Sequence, residues 1–168
     1  MSFDVERYAA SAQPVQTDDL DFAAFRVQPL SEEALRCLRY MHDVESHTVC
    51  YLRDLLLTPS HRDPEVTTFL TAWAYEEHWH GAAIGRVLDA HGEPAGAARV
   101  QQHRRTLPRR DRFAPYLSAI GGAVAGEDFV ALHMTWGAVN EWTTAEGYRL
   151  LAERADHPVL TTLLGRIR

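Results

Sequence analysis

Residues 73–81 read WAYEEHWHG, which sets two glutamates and two histidines inside five positions of an otherwise apolar run. Such groups resist burial. A chain that places them where a core should lie either solvates that edge of a helix or supplies a cation. Glu77 and His80 are three residues apart, so on a helix both side chains can face one point. Chance alone supplies about 0.6 Glu-x-x-His pairs at this content of glutamate and histidine, so the pair gains weight only from its company. Two further glutamates, Glu45 and Glu141, each interrupt an apolar stripe. Carboxylates joined by one imidazole suit iron or manganese, and the imidazole argues against a pure calcium site. The H-E-x-x-H of zinc hydrolases is absent.

Three long helices are needed to carry these residues, and the punctuation marks them out. Ser31, followed by Glu32 and Glu33, is an N-cap with acids in the first turn, and Pro59 stops the helix after Thr58. Asp63 and Pro64 open a second helix that runs to His91, with Gly92 behind it. A shorter polar helix spans Pro94 to about Thr106, and residues 114–125 read as a small-residue helix or loop. A third long helix starts at Glu127 and reaches about Arg154, and another begins at Pro158. Residues 1–29 read as an irregular arm packed through Phe22 and Phe25, and residues 30–168 as the helical domain. No period-2 stretch persists, so the fold class is all-α, a bundle of long antiparallel helices.

The apolar stripes then place the polar residues. On the first long helix the stripe is Leu38, Met41, Glu45, Val49, Leu52 and Leu56; on the second, Leu70, Trp73, Glu77, His80, Ile84 and Val87. On the third it is Met134, Ala138, Glu141, Thr144, Tyr148 and Leu151. Glu45 to Thr58 and Pro64 to Glu77 are both thirteen-residue intervals, about 20 Å of rise, so an antiparallel pair sets the two glutamates at one height. Unpaired buried carboxylates cost several kcal/mol and call for a cation or tight partners. Glutamates from facing helices with Glu-x-x-His are the ligand pattern of di-iron and di-manganese bundles. The expected metal ligands are Glu45, Glu77, His80 and Glu141, with Trp73 and Tyr148 supporting them. Glu76, about 100° round the helix, and His47 should point elsewhere.

Composition bounds the setting. The 168 residues suit one domain, with 46% hydrophobic and 24% charged residues. A net charge of −6 argues against general binding of nucleic acid. Cys37 and Cys50, about 20 Å apart on one helix, cannot form a disulfide. They point to a reduced, cytoplasmic protein. The N-terminus has no apolar signal-peptide core, and no stretch is long enough to span a membrane.

Trp73, Glu76, Glu77, His80 and Gly81 in WAYEEHWHG resemble the second-helix signature of the soluble acyl-acyl-carrier-protein desaturases, in the ferritin-like superfamily. ESHTVCYLRDLL resembles that family's first ligand helix, with Glu45 as ligand and Tyr51 at a matching tyrosine. NEWTTAEGY resembles the third, with Glu141 as ligand and Thr144 at the threonine beside the oxygen-binding site. His78 and Trp79 replace the family's usual Asn-Arg pair. The resemblance spans about residues 38–168 and implies a ferritin-like antiparallel four-helix bundle. It further implies a pair of iron ions, with manganese as the other metal of this chemistry, and an enzyme that uses O2 to place a cis double bond in an acyl chain. Acyl carrier protein would deliver the chain, a ferredoxin-type donor the electrons, and the protein would be a homodimer. HRRTLPRRDR, residues 103–112, is the best basic stretch for docking an acidic carrier.

Three other readings share the same residues. A ferritin-like di-metal oxidase could act on a different small substrate; a storage or sensing bundle could hold metal without one; a plain scaffold would pair its glutamates with arginines. The end of the chain raises a separate expectation. A helix returning from Pro158 needs about thirteen residues to regain the height of Glu141. The fourth core helix is therefore expected to be cut, with a second Glu-x-x-His just beyond Arg168 in a longer protein. A complete two-metal centre is then not expected from these residues alone.

Overall fold

Local punctuation explains where each helix starts and stops. The computed structural model describes residues 3–107, 116–117, 120–121 and 127–167, and among these there is helix but no strand. Helix α3, Glu32–Leu56, is capped by the Ser31 hydroxyl, which accepts the Ala34 N–H at 3.2 Å. A 3-10 turn, Pro59–Arg62, turns the chain, and Thr58 and Ser60 hydroxyls both donate to the Leu55 carbonyl at 2.6 Å, satisfying the end of α3. Helix α4, Pro64–Ala90, starts on Asp63, whose carboxylate accepts from Glu65 and Val66 N–H. It ends at Ala90, and Gly92 just beyond has a φ of +72°, the left-handed conformation glycine adopts freely.

The expected irregular arm instead contains two short helices, α1 (Val5–Ser11) and α2 (Ala24–Val27). Asp4 caps α1 by accepting the Arg7 N–H at 2.9 Å. Phe25 is buried in the core and Phe22 packs against it, as the arm's aromatics imply. Helix α5, Gly96–Thr106, lies on α3, where Arg99 makes a two-pronged bridge to Asp43 at 2.7 Å on each arm. Helices α6 (Glu127–Ala155) and α7 (Pro158–Ile167) form the remaining pair, joined at Asp156, a non-glycine residue with φ of +45°. The segment 114–125 lies mostly outside the described residues.

Contacts fix the relative directions. Thr48 meets Glu77, Glu45 and Ser46 meet Gly81, and His42 meets Gly85, so α3 and α4 run antiparallel in close register. Met41 and Glu45 meet Gly147 and Tyr148, which sets the C-terminal half of α6 beside the middle of α3. The core joins Leu35 and Leu38 of α3 to Ile84, Val87 and Leu88 of α4, Tyr148 and Leu151 of α6, and Leu160, Leu163, Leu164 and Ile167 of α7. Burial of that apolar surface is the main stabilising term. The N-terminal half of α6 is different: Leu132, Trp136, Val139 and Trp142 are all exposed.

The α3 stripe also differs from its expected phase. Buried positions are Leu35, Leu38, His42, Glu45, Thr48 and Leu55, whereas Val49 and Leu56 face outward. Among the described residues no helix is long and apolar enough to cross a membrane. Cys37 and Cys50 are both free thiols.

His157, between α6 and α7, is only 2% exposed, and its ring stacks on Phe25 with centroids 4.2 Å apart. Burial, followed by the neighbouring His91, pushes its pKa below the ordinary histidine value. The folded state therefore holds a neutral ring while the unfolded chain protonates below about pH 6.5. The stability this adds is complete above that pH and is lost as pH falls below it. We expect His157→Phe to show a smaller fall in urea midpoint between pH 7.5 and pH 5 than the parent; equal falls would exclude His157 as the cause.

Candidate metal centre

Glu45, Glu77 and His80 meet between α3 and α4. One ligand atom from each lies within 4.8 Å of the others. Both glutamates are buried, Glu45 to 4% and Glu77 to 7% exposure, and His80 is half-buried at their edge. His80 Nδ1 is 3.3 Å from Glu77 Oε1 and 3.9 Å from Glu45 Oε2. The close approach is made by Gly81: a Cβ there would lie 2.9 Å from Ser46 Oγ and 3.3 Å from Glu45 Cβ.

Neighbouring hydroxyls hold one oxygen of each carboxylate. Tyr148, itself buried, donates its phenol hydrogen to Glu45 Oε1. Thr48 donates to Glu77 Oε2 over 3.5 Å. The other oxygen of Glu45, Oε2, is buried without a hydrogen-bond partner. Burial first, and then the Glu77 carboxylate beside it, which can accept a hydrogen bond from the protonated group and repels its charged form, pushes Glu45 up to about 9. Burial raises Glu77 as well. The Tyr148 hydroxyl is pushed far above its usual value by burial and by the Glu45 charge, so it stays a donor. Among the described residues no arginine pairs with Glu45, Glu77 or Glu141.

Glu141 falls outside the three-residue group. The residue is exposed on α6, and its Oε1 accepts the Trp73 indole N–H at 2.9 Å. Its carboxylate is nonetheless drawn in beside Trp73 far enough that burial raises its pKa, with the Glu45 charge adding to the effect. The reason for its position is that only Tyr148 and Leu151 of the α6 stripe reach the core; Ala138 and Glu141 lie on the open half. Thr144 is half-buried one turn beyond, and its hydroxyl makes no hydrogen bond among the described residues.

No family model, curated protein or solved structure matches the chain.

The remaining expected residues sort by geometry. Glu76 turns away, its Oε2 accepting the Tyr8 hydroxyl of α1 at 2.6 Å. His47 faces α5, edge-on to His103. The basic stretch 103–112 is described to residue 107, and there Arg104 is folded onto α3, donating to the Ser46 carbonyl at 3.0 Å. Sequence patterning overlooked Thr48 as part of the site, and Gly81 entered only through the resemblance of WAYEEHWHG. Both lie at helical spacing from Glu45 or Glu77, but neither residue type signals metal chemistry.

Proposed function

We propose that the chain is an iron- or manganese-dependent oxidoreductase of ferritin-like arrangement, with Glu45, Glu77 and His80 as its protein ligands and Glu141 as the adjacent carboxylate. The observation that carries this is the buried, unpartnered Glu45 Oε2 within reach of Glu77 and His80. An isolated carboxylate oxygen costs free energy in that place unless a proton or a cation meets it. Hard oxygen donors with one imidazole fit iron or manganese. Tyr148 would hold Glu45 Oε1 and Thr48 would hold Glu77 Oε2, leaving the facing oxygens for metal. A bound redox metal supplies one-electron steps and a site for O2; the protein supplies a dry, acidic cradle between two helices.

Acyl desaturation, with an acyl carrier protein and a ferredoxin-type donor as partners and a homodimeric assembly, is the reaction to which the resemblance of WAYEEHWHG points. A second reading, oxidation of a smaller molecule, is favoured by the cavity beside Glu141, which measures only about 140 Å³. Elemental analysis of protein produced with iron and manganese supplied tests the shared part of both readings. Iron or manganese should co-purify with the wild type and be lost from a Glu77→Gln variant that retains its helical circular dichroism. Zinc alone, or no metal in the folded wild type, would overturn the reading.

A further inference from the structure

The last part of the arm is held to the helical body through two histidines. Within residues 18–30 only Phe25 and Leu30 are buried, and each meets His91 just past the end of α4. The Phe25 ring packs against His91 with centroids 5.1 Å apart, and against His157 of the α6–α7 turn at 4.2 Å. The Leu30 N–H donates to His91 Nε2 at 3.1 Å, and His91 Nδ1 lies 2.8 Å from the Val87 carbonyl. Gln28 adds one bond that does not titrate, from its side-chain amide to the Asp156 carbonyl at 3.2 Å.

These partners fix the protonation of His91. A carbonyl can only accept and a backbone N–H can only donate, so Nδ1 carries the proton and Nε2 offers its lone pair. A second proton would occupy that lone pair, set two donors against each other and leave the Leu30 N–H unmet. His157 is kept neutral for a different reason. Its Nδ1 is buried with no hydrogen-bond partner, so a proton added there would find no acceptor.

No carboxylate stands ready to meet the new charges. On α4, Asp89 and Glu93 flank His91, and Glu93 is bridged to Arg39 of α3 at 2.7 Å. On the other sides, α2 carries the exposed Arg26, the α6–α7 turn carries Asp156, and Arg166 of α7 is bridged to Asp19 of the arm. Among the described residues none of these is ion-paired with either ring, and the neighbour whose charge acts on His157 is His91 itself.

We propose that His91 and His157 form an acid-released latch, which holds segment 24–30 on the body while both rings are neutral and lets it detach as they protonate, with α3 and α4 still folded. His91 lies eleven residues beyond His80 on α4, about 16 Å along the helix, so the latch does not rest on the metal reading. The closed form needs neutral rings, and exposed histidines protonate below about pH 6.5. The hold is therefore complete above that pH and is lost as pH falls below it. For each ring the closed form loses up to about thirtyfold against the open one between pH 7.5 and pH 5.

Native-state hydrogen exchange on the full chain tests this, at pH 7.5 and pH 5, over a series of low urea concentrations and corrected for intrinsic rates. The Phe25, Arg26, Gln28 and Leu30 amides, all hydrogen-bonded in the closed form, should lose about tenfold or more of their protection at pH 5. Their exchange there should be nearly independent of urea, as local opening is, while the Leu38 amide of α3 keeps the steep urea dependence of global unfolding. His91→Gln retains an acceptor for Leu30 and does not titrate, so the loss should shrink; with His157→Phe added it should nearly vanish. Long-range nitrogen–proton NMR spectra at pH 7.5 should show His91 protonated on Nδ1 alone. Four results would each overturn the latch: unchanged protection at pH 5, a loss as urea-dependent as that of Leu38, a native His91 protonated on Nε2, or an equal loss in the folded double variant. The first three need no variant.

Discussion

Glu45→Gln is expected to stabilise the metal-stripped protein at pH 8 and at the same time to remove its affinity for iron or manganese. The two effects have one origin. Without metal, Glu45 titrates near 9 in the folded state, against about 4.5 when unfolded. Between those values the native protein keeps a proton that the unfolded chain releases, so stability falls as pH rises. At about 1.4 kcal/mol per pH unit, the loss from pH 5 to pH 8 has a ceiling of about 4 kcal/mol. Glutamine does not titrate, and its carbonyl can still accept from Tyr148. Metal binding runs the other way, because the ligand must be ionised and the cation displaces the proton. Loss of an outer contact already weakens a metal site by about 10–100-fold, so loss of a buried ligand should exceed 100-fold. Urea denaturation of both proteins at pH 5 and pH 8, with and without chelator, gives the result. Parallel pH profiles for parent and variant in chelator would show that Glu45 does not carry the proton.

The second large effect is at Gly81. A valine there adds a Cβ 2.9 Å from Ser46 Oγ and 3.3 Å from Glu45 Cβ, and two methyl groups beyond it. Ser46 Oγ can rotate away, but Glu45 Cβ at 3.3 Å is fixed to the α3 backbone, and the valine methyls must pass the Ser46 amide that already lies at contact distance, 3.4 Å. The helices must separate at the level of the centre. Overpacking of this kind costs about 1–3 kcal/mol, and displacing Glu45 relative to Glu77 and His80 should weaken metal binding further. Gly165 is the matched control, since a Cβ at that position on α7 meets nothing within 4 Å. Gly165→Ala should be neutral or up to about 1 kcal/mol stabilising. Melting temperatures and metal content of the two variants test the contrast; a Gly81→Val protein as stable and as metal-rich as the parent would mean that the helices need not touch here.

Helix boundaries were legible because the residues that set them act locally. Ser31, Asp63, Pro64 and Gly92 each satisfy or remove a particular backbone group, and the observed ends of α3 and α4 lie within two residues of the expected ones. The meeting of Glu45 with Glu77 was legible too, because two equal thirteen-residue descents leave an antiparallel pair in register. The phase of α3 was not. His42 and Thr48 take inward positions, and their polar atoms find Asp43, Val44 and Glu77, contacts that no hydrophobic pattern encodes. Nor could periodicity reveal that the α6 stripe has a core to face along only half its length. A stripe describes one helix; whether another helix lies opposite is a property of the whole chain. The arm's short helix α1 depended on the Asp4 cap and on the tertiary bond from Tyr8 to Glu76, and only the first is local.

That uneven α6 gives one rod two local stabilities. Its C-terminal end is fastened by Tyr148, Leu151 and the α7 leucines, and must be pulled from the core to move. Its N-terminal end leans on the cavity wall and is tied across to α4 by the Trp73–Glu141 hydrogen bond. Local opening follows the number of buried apolar contacts, so the two ends answer to different free energies. The Trp73–Glu141 bond and the Tyr148–Glu45 bond thus belong to differently anchored parts of one helix, and loss of the first does not by itself release the second.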